Sequence, residues 1–445
     1  MASNIPVNSA PPPPPPRVSA SSSVAPAPPD STGSVPSRQR STHRHTPSTA
    51  QWNDLPEFVE GGLSEGGLSR KRTTSTRVSR VPALASTSAS SSGLATPTAV
   101  PPPAVARTNS DEFALPAFNA PPPPPPEPTL SLRTGQRQLP YDLLHFPGPG
   151  INLKLVLVFV PGNPGLVEYY RPFLTSLQAA LPDDLKDSTE LYAVGQLGHS
   201  PAAEREGRMK GFRPNEQASL EEQVESKREF VEELREKYGE EVKIMLMGHS
   251  IGAWISLQVL KQRPTLVSSV HCLFPTVSHM ATTPNGRRLS PLFSSWALRP
   301  VFYSTSMLSY LPTSLTSKLV SLLTGQSGPG SSTTTELVSS PQTVIAALTM
   351  AKKELEQIKD LDEELLREHG AKVWWYWAED GNDGWVSESA IGEIERVLGD
   401  EGRERRERCR EGMPHAFVLD PDHSSSLARK CANWVVQDLR SSISS

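Results

Sequence analysis

The sequence predicts an α/β fold, a mostly parallel sheet with helices on both faces and one apolar insertion. Three observations predict it. From about residue 135, short apolar runs alternate with segments of helical periodicity. A Gly-His-Ser-Ile-Gly pentapeptide, Gly248–Gly252, stands where one such run meets one such helix. Of the 45 prolines, 26 fall in the first 130 of 445 residues, so the remainder has an ordinary proline content and can hold regular structure.

Residues 1–134 read as a disordered arm of Pro, Ser, Thr and Ala, with hexaproline runs at Pro11–Pro16 and Pro121–Pro126. Such a stretch buries too little apolar surface to offset the entropy of ordering it. Trp52–Val59 is a less polar island and Arg70–Arg72 a short basic cluster; incidental residues of a solvated tail explain both most simply. The proline runs would suit SH3- or EVH1-type domains as polyproline II ligands, although a plain spacer is the simpler reading.

Residues 135–445 are expected to form the folded domain. Lys154–Val160 (KLVLVFV) reads as a buried strand and ends in the sharp turn Pro161-Gly162-Asn163-Pro164-Gly165. Leu166–Leu181 has helical spacing, and Leu191–Leu197 is a second strand candidate. Gln217–Tyr238 is a charged amphipathic helix with Leu220, Val224, Phe230, Val231 and Leu234 toward one face. Val242–Met247 reads as strand, Ile251–Lys261 as helix and Ser268–Phe274 as strand. Thr276–Ser340 breaks the alternation and reads as an insertion. After it come helix Gln342–Glu368, strand Ala371–Ala378, helix Ser387–Leu398 and a closing helix Ser424–Arg440.

The pentapeptide matches G-x-S-x-G, and its place between strand and helix is what a nucleophile elbow needs, which makes the α/β fold an α/β-hydrolase fold. Ser250 would sit on a tight turn with its hydroxyl projecting from the sheet. Gly248 and Gly252 lack a Cβ and let strand and helix approach closely. Gly198-His199-Ser200 is a decoy, with Ala202 where the second glycine should be. A serine hydroxyl needs a base, and the base an orienting carboxylate. Asp383, after the Ala371–Ala378 strand, is the expected acid, with Asp380 and Glu379 as competitors in the same loop. His415, in the loop before the closing helix, is the expected base; His423 lies in a polar turn and suits a helix start better. The oxyanion donors are expected to be the backbone N–H groups of Ile251 and of one residue in the Pro161–Gly165 turn. Prolines 161 and 164 have no N–H, which leaves Gly162, Asn163 and Gly165, of which Asn163 is the candidate. This chemistry requires no metal or organic cofactor.

Between Val242 and Thr335 there is no Asp or Glu, and seven Lys/Arg give the stretch a formal charge of +7. Leu289–Leu323 is also apolar and aromatic. An apolar, basic cap fits a lipid interface, with aromatics entering the acyl boundary and cations meeting anionic head groups. The plainer alternative is packing of these residues on the core, since Pro300 and Pro312 are expected to divide the segment into short pieces.

The net charge of −4 gives no reason to expect nucleic acid as a partner. Three cysteines, Cys272, Cys409 and Cys431, are too few for a disulfide framework and suggest a reducing compartment. No signal-peptide pattern is visible at the N-terminus, and the longest strongly apolar run, Leu155–Val160, is too short to span a bilayer.

Taken together, Val158–Tyr170 (VFVPGNPGLVEYY), Met247–Gln258 (MGHSIGAWISLQ), Leu273–Gly286 (LFPTVSHMATTPNG), Asp383-Gly384-Trp385 and His415–Leu419 resemble the lipid droplet-associated hydrolase family across residues 135–440. The resemblance implies an α/β-hydrolase fold, residence on lipid droplets, and a role in neutral lipid storage or turnover; the expected location is the cytoplasmic side of the droplet, with a cytosolic pool open. It implies Ser250 as nucleophile, Asp383 as acid and His415 as base, and a cap that contributes to attachment to the droplet's phospholipid monolayer. Neutral lipid esters such as sterol esters or acylglycerols are the expected substrates, with small esters also open. The alternative is a droplet-organising protein that has the hydrolase fold but little catalysis. The proline-rich arm lies outside the resemblance.

Overall fold

Two core clusters lie on opposite faces of one sheet, and a single strand shows why. The run Leu155–Val160 is fully buried. Val156, Val158 and Val160 point into one cluster, while Leu155, Leu157 and Phe159 point into the other. Side chains alternate across a strand, so an unbroken apolar run is the signature of a strand covered on both faces. The structure, a computed structural model, describes residues 129–132, 139–148, 152–209, 216–379 and 382–441. The hexaproline runs, Trp52–Val59, Arg70–Arg72 and Asp380 lie outside the described residues. Every described residue belongs to one compact unit.

The strands in chain order are β1 (Thr129–Leu132), β2 (Pro140–Phe146), β3 (Leu155–Val160), β4 (Thr189–Val194), β5 (Lys243–His249), β6 (Ser269–Leu273), β7 (Val373–Trp377) and β8 (Arg406–Arg408). They form one sheet in the order β1-β2-β4-β3-β5-β6-β7-β8. The β1–β2 and β2–β4 pairs are antiparallel and all the others parallel. This is the α/β-hydrolase arrangement. Helices Leu220–Tyr238 and Ile251–Gln262 cover one face; Arg171–Ala180 and Pro421–Ser441 cover the other. The loops that leave the C-terminal ends of β3, β5, β7 and β8 collect at one edge, where open α/β sheets place their sites.

β1 lies ahead of the expected domain start at residue 135 and pairs with β2. β2 and β8 also go beyond the sequence reading. β2 opens on a proline, which suits a strand's first residue because no ladder bond is lost there. β8 is Arg-Glu-Arg, an edge strand whose charges discourage further pairing and conceal it in the sequence.

Two expectations need correction. Gln342–Glu368 is not one helix but two, Pro341–Gln357 and Glu363–His369. Asp362 accepts a hydrogen bond from the Leu365 N–H at 3.1 Å and so starts the second helix as an N-cap. Pro300 does not divide the cap: helix Ser295–Ser309 runs through it. The proline deletes one N–H bond to the preceding turn, while Ala297, Leu298 and Thr305 are buried and hold the helix by packing. Pro312 does mark a break, immediately before helix Thr313–Thr324.

Candidate active site

The local backbone places Ser250 first. It stands between the end of β5 and the start of helix Ile251–Gln262 with φ 55° and ψ −124°. A non-glycine residue avoids this region unless its surroundings impose it. The flanking glycines show the cause. A Cβ on Gly252 would lie 2.1 Å from the Val160 carbonyl oxygen, and one on Gly248 would lie 2.3 Å from the Gly252 oxygen. Strand, turn and helix are therefore in backbone contact, and the serine side chain is turned out of the sheet.

Two further loops meet it. His415, after β8, has Nε2 2.9 Å from Ser250 Oγ and Nδ1 2.8 Å from Asp383 Oδ2. Asp383, after β7, is itself held: its Oδ1 accepts from the N–H groups of Trp385 at 2.8 Å and Val386 at 3.2 Å. The carboxylate accepts from Nδ1, so Nδ1 carries the proton and Nε2 is left to accept the serine proton. The competitors stand elsewhere. Glu379 is exposed, and His423 sits in the first turn of the closing helix, where its N–H donates to Asp420 Oδ1 at 3.3 Å. In the decoy, Ser200 caps the helix Pro201–Arg205 and donates to Asp142.

The Pro161–Gly165 loop is fixed on several sides. The Pro161 carbonyl accepts from Gln196 Nε2 at 2.8 Å, and the Pro164 carbonyl lies 2.6 Å from His199 Nδ1. The Gly162 N–H donates to Tyr170 Oη at 3.0 Å, and the Gly165 N–H to the Gly162 carbonyl at 2.7 Å. Of the three amides in the loop, only that of Asn163 has no partner among the described residues. Ile251 opens its helix, so its N–H is one that helix geometry leaves without an internal acceptor. The side chain of Asn163 is also anchored: Nδ2 donates to the Ala347 carbonyl and to Glu354 Oε1, each at 2.9 Å. Burial pushes the Glu354 carboxyl up to about 7, against the Asn163 hydrogen bond and the field of His415.

A family model described as lipid-droplet associated hydrolase matches residues 153–418, the segment that carries all of these groups. The chain belongs to this family. Curated relatives named lipid droplet-associated hydrolase include one from Gallus gallus, 30% identical over 64% of this chain and 86% of that protein. Another, from Drosophila melanogaster, is 29% identical over 65% of this chain and 92% of that protein. Among solved structures, a carboxylesterase of Nitrososphaera gargenis is 16% identical, covering 70% of this chain and 100% of that one, with a TM-score of 0.47.

Sequence reasoning did not find Tyr170, His249, Gln196 or Glu354 as neighbours of the site. Tyr170 and Glu354 have no motif of their own. His249 stands at the free position of the pentapeptide, and nothing in the sequence shows what the half-buried Asn163 side chain will meet.

Proposed function

We propose that this chain is a serine carboxylic ester hydrolase acting on neutral lipid esters, such as sterol esters or acylglycerols, at a lipid droplet surface. The observation that carries the reading is the hydrogen-bonded series Ser250–His415–Asp383 at the sheet edge. In the first step Ser250 Oγ attacks the ester carbonyl carbon and its proton passes to His415 Nε2. The negative charge that develops on the carbonyl oxygen meets the N–H groups of Asn163 and Ile251. Collapse expels the alcohol, which takes the proton from His415. Water repeats the sequence on the acyl-enzyme, releasing the acid. Asp383 holds the imidazole tautomer and stabilises the imidazolium in both halves.

The cap supports the choice of surface. On helices Ser295–Ser309 and Thr313–Thr324 and the turn between them, several large apolar side chains point outward, with Trp296 73%, Tyr310 88% and Leu322 81% exposed. Arg287, Arg288, Arg299 and Lys318, from the same insertion, are exposed and pair with no acidic side chain among the described residues. An insertion that exposes large apolar side chains and carries these cations fits the monolayer of a droplet, entered peripherally. No helix among the described residues is long and apolar enough to cross a membrane.

One observation favours the rival reading of a droplet-organising protein with little catalysis: Ser250 is only 9% exposed. Kinetics separates the two. With p-nitrophenyl butyrate as probe, Ser250→Ala should lower kcat on the order of 10⁴-fold or more. Equal turnover by the variant would remove the catalytic reading, and lipid profiling of cells carrying it would name the accumulating ester.

A further inference from the structure

Tyr170 and His249 are buried polar side chains beside the site for which the acyl-transfer scheme has no use. Tyr170 Oη lies 2.7 Å from His249 Nδ1, and His249 Nε2 lies 2.9 Å from the carbonyl oxygen of His415. The Gly162 N–H donates to the same Tyr170 oxygen.

The direction of every bond follows by elimination. The His415 carbonyl can only accept, so His249 Nε2 carries a proton and donates. Burial, reinforced by the neighbouring His415, holds the His249 imidazole well below its ordinary pKa, so the ring is neutral and Nδ1 is an acceptor. The Gly162 amide can only donate, so Tyr170 accepts from it and gives its own proton to His249 Nδ1. Burial keeps that phenol protonated, raised above its ordinary pKa. The result is a one-way series: Gly162 N–H to Tyr170, Tyr170 O–H to His249, His249 N–H to the His415 carbonyl.

We infer that Tyr170 and His249 are positioning residues that tie the oxyanion loop to the backbone of the general base, so that both act on one ester from a shared frame. The inference rests on the ester hydrolase reading. At one end the series takes up the Gly162 amide inside the protein, which leaves Asn163 as the loop's free donor. At the other it fixes the peptide of the residue whose ring must reach Ser250. The loop also lies directly on His249: a Cβ at Gly162 would be 2.9 Å from His249 Nδ1 and 2.9 Å from Ser250 Cβ. A displacement of His249 is therefore passed to the loop. Gly162, Tyr170 and His249 are buried, so loss of one strands the polar atoms of the next, and the series behaves as a unit.

The test uses the full chain, with p-nitrophenyl butyrate turnover and the rate of Ser250 labelling by a fluorophosphonate. Tyr170→Phe should lower kcat by about tenfold to hundredfold, as expected for misplacement by a fraction of an ångström, and change KM by no more than about twofold. His249→Gln keeps a donor toward the His415 carbonyl and should retain more activity than His249→Leu. The Tyr170→Phe/His249→Gln double variant should lose far less than the product of the two single losses. Should Tyr170→Phe fail to fold, the comparison of His249→Gln with His249→Leu decides. Wild-type kcat in a folded Tyr170→Phe, fully multiplicative losses in the double variant, or equal activity in the two His249 variants would overturn the inference. In each of those cases the wild-type chain is active, so the hydrolase reading stands. A wild-type chain that neither turns over the ester nor labels at Ser250 would overturn that reading, and the inference with it.

Discussion

Glu354→Gln should make the protein more stable at alkaline pH and leave it little changed in acid. The carboxyl is 3% exposed and accepts from Asn163 Nδ2. Burial carries it from its ordinary 4.5 to about 7. Each pKa unit of difference between folded and unfolded chain is worth about 1.4 kcal/mol, so the full effect is about 3 kcal/mol. Below about pH 4.5 both states hold the proton and nothing is lost. Between about 4.5 and 7 the unfolded chain releases its proton first, so stability falls as pH rises. Above about 7 the folded carboxyl ionises too and the penalty is complete. Glutamine keeps the oxygen that Asn163 needs and has no proton to lose. Urea denaturation followed by tryptophan fluorescence, from pH 4.5 to 8.5, should show the two proteins diverging by up to about 3 kcal/mol with increasing pH. A stability difference that does not change with pH would refute the reasoning.

Gly252→Ala should abolish the folded elbow, because its Cβ would meet the Val160 carbonyl oxygen at 2.1 Å; thermal unfolding should shift down by several degrees or more, and an unchanged Tm would contradict the backbone contact. Asp438 receives hydrogen bonds from His271 at 2.9 Å, Trp374 at 3.0 Å and Arg405 at 2.6 Å. Burial alone would raise its carboxyl, but the hydrogen bonds and the charge of His271 hold it well below the usual range. Its contribution is thus complete above about pH 4 and fades as pH falls toward its folded value. Asp438→Asn should consequently be destabilised at pH 7 by about 2 kcal/mol or more, with a smaller deficit below pH 4; a deficit independent of pH would argue against the linkage. Replacing Trp296, Tyr310 and Leu322 together by serine should lower flotation with phospholipid-coated triacylglycerol droplets at least about tenfold without lowering Tm. Undiminished flotation would place attachment elsewhere.

What was legible in the sequence follows from burial. β3, β5, β6 and β7 are covered on both faces and so are almost unbroken apolar runs. β8 is three charged residues at an edge, and β2 mixes Asp142 and His145 into its run, so neither carries that signal. The grouping of Ser250, Asp383 and His415 within hydrogen-bond reach was legible, because elbow geometry restricts sequence at Gly248, Ser250 and Gly252, and chain order restricts where an acid and a base can stand. The residues that hold them were not. Glu354 lies 191 positions from the asparagine it anchors, on a helix with one other acidic residue, Glu356. Only the packing of that helix over the Pro161–Gly165 loop separates a buried Glu from a solvated one. His249 lies 166 positions from His415, and the free position of the pentapeptide says nothing of what it will touch. The cap divides similarly: Phe293, Leu298 and Val320 turn inward while Trp296 and Leu322 face out, a distinction that composition cannot make.

The central claim is that Ser250 is a nucleophile activated by His415 and Asp383. Fluorophosphonate labelling of the folded protein, with the modified residue mapped by peptide mass spectrometry, tests it most directly. The account predicts a single adduct on Ser250, formed at least about a hundredfold more slowly in Asp383→Asn, where the tautomer of His415 is no longer held. No adduct on folded wild-type protein, or labelling at an undiminished rate in Asp383→Asn, would contradict it.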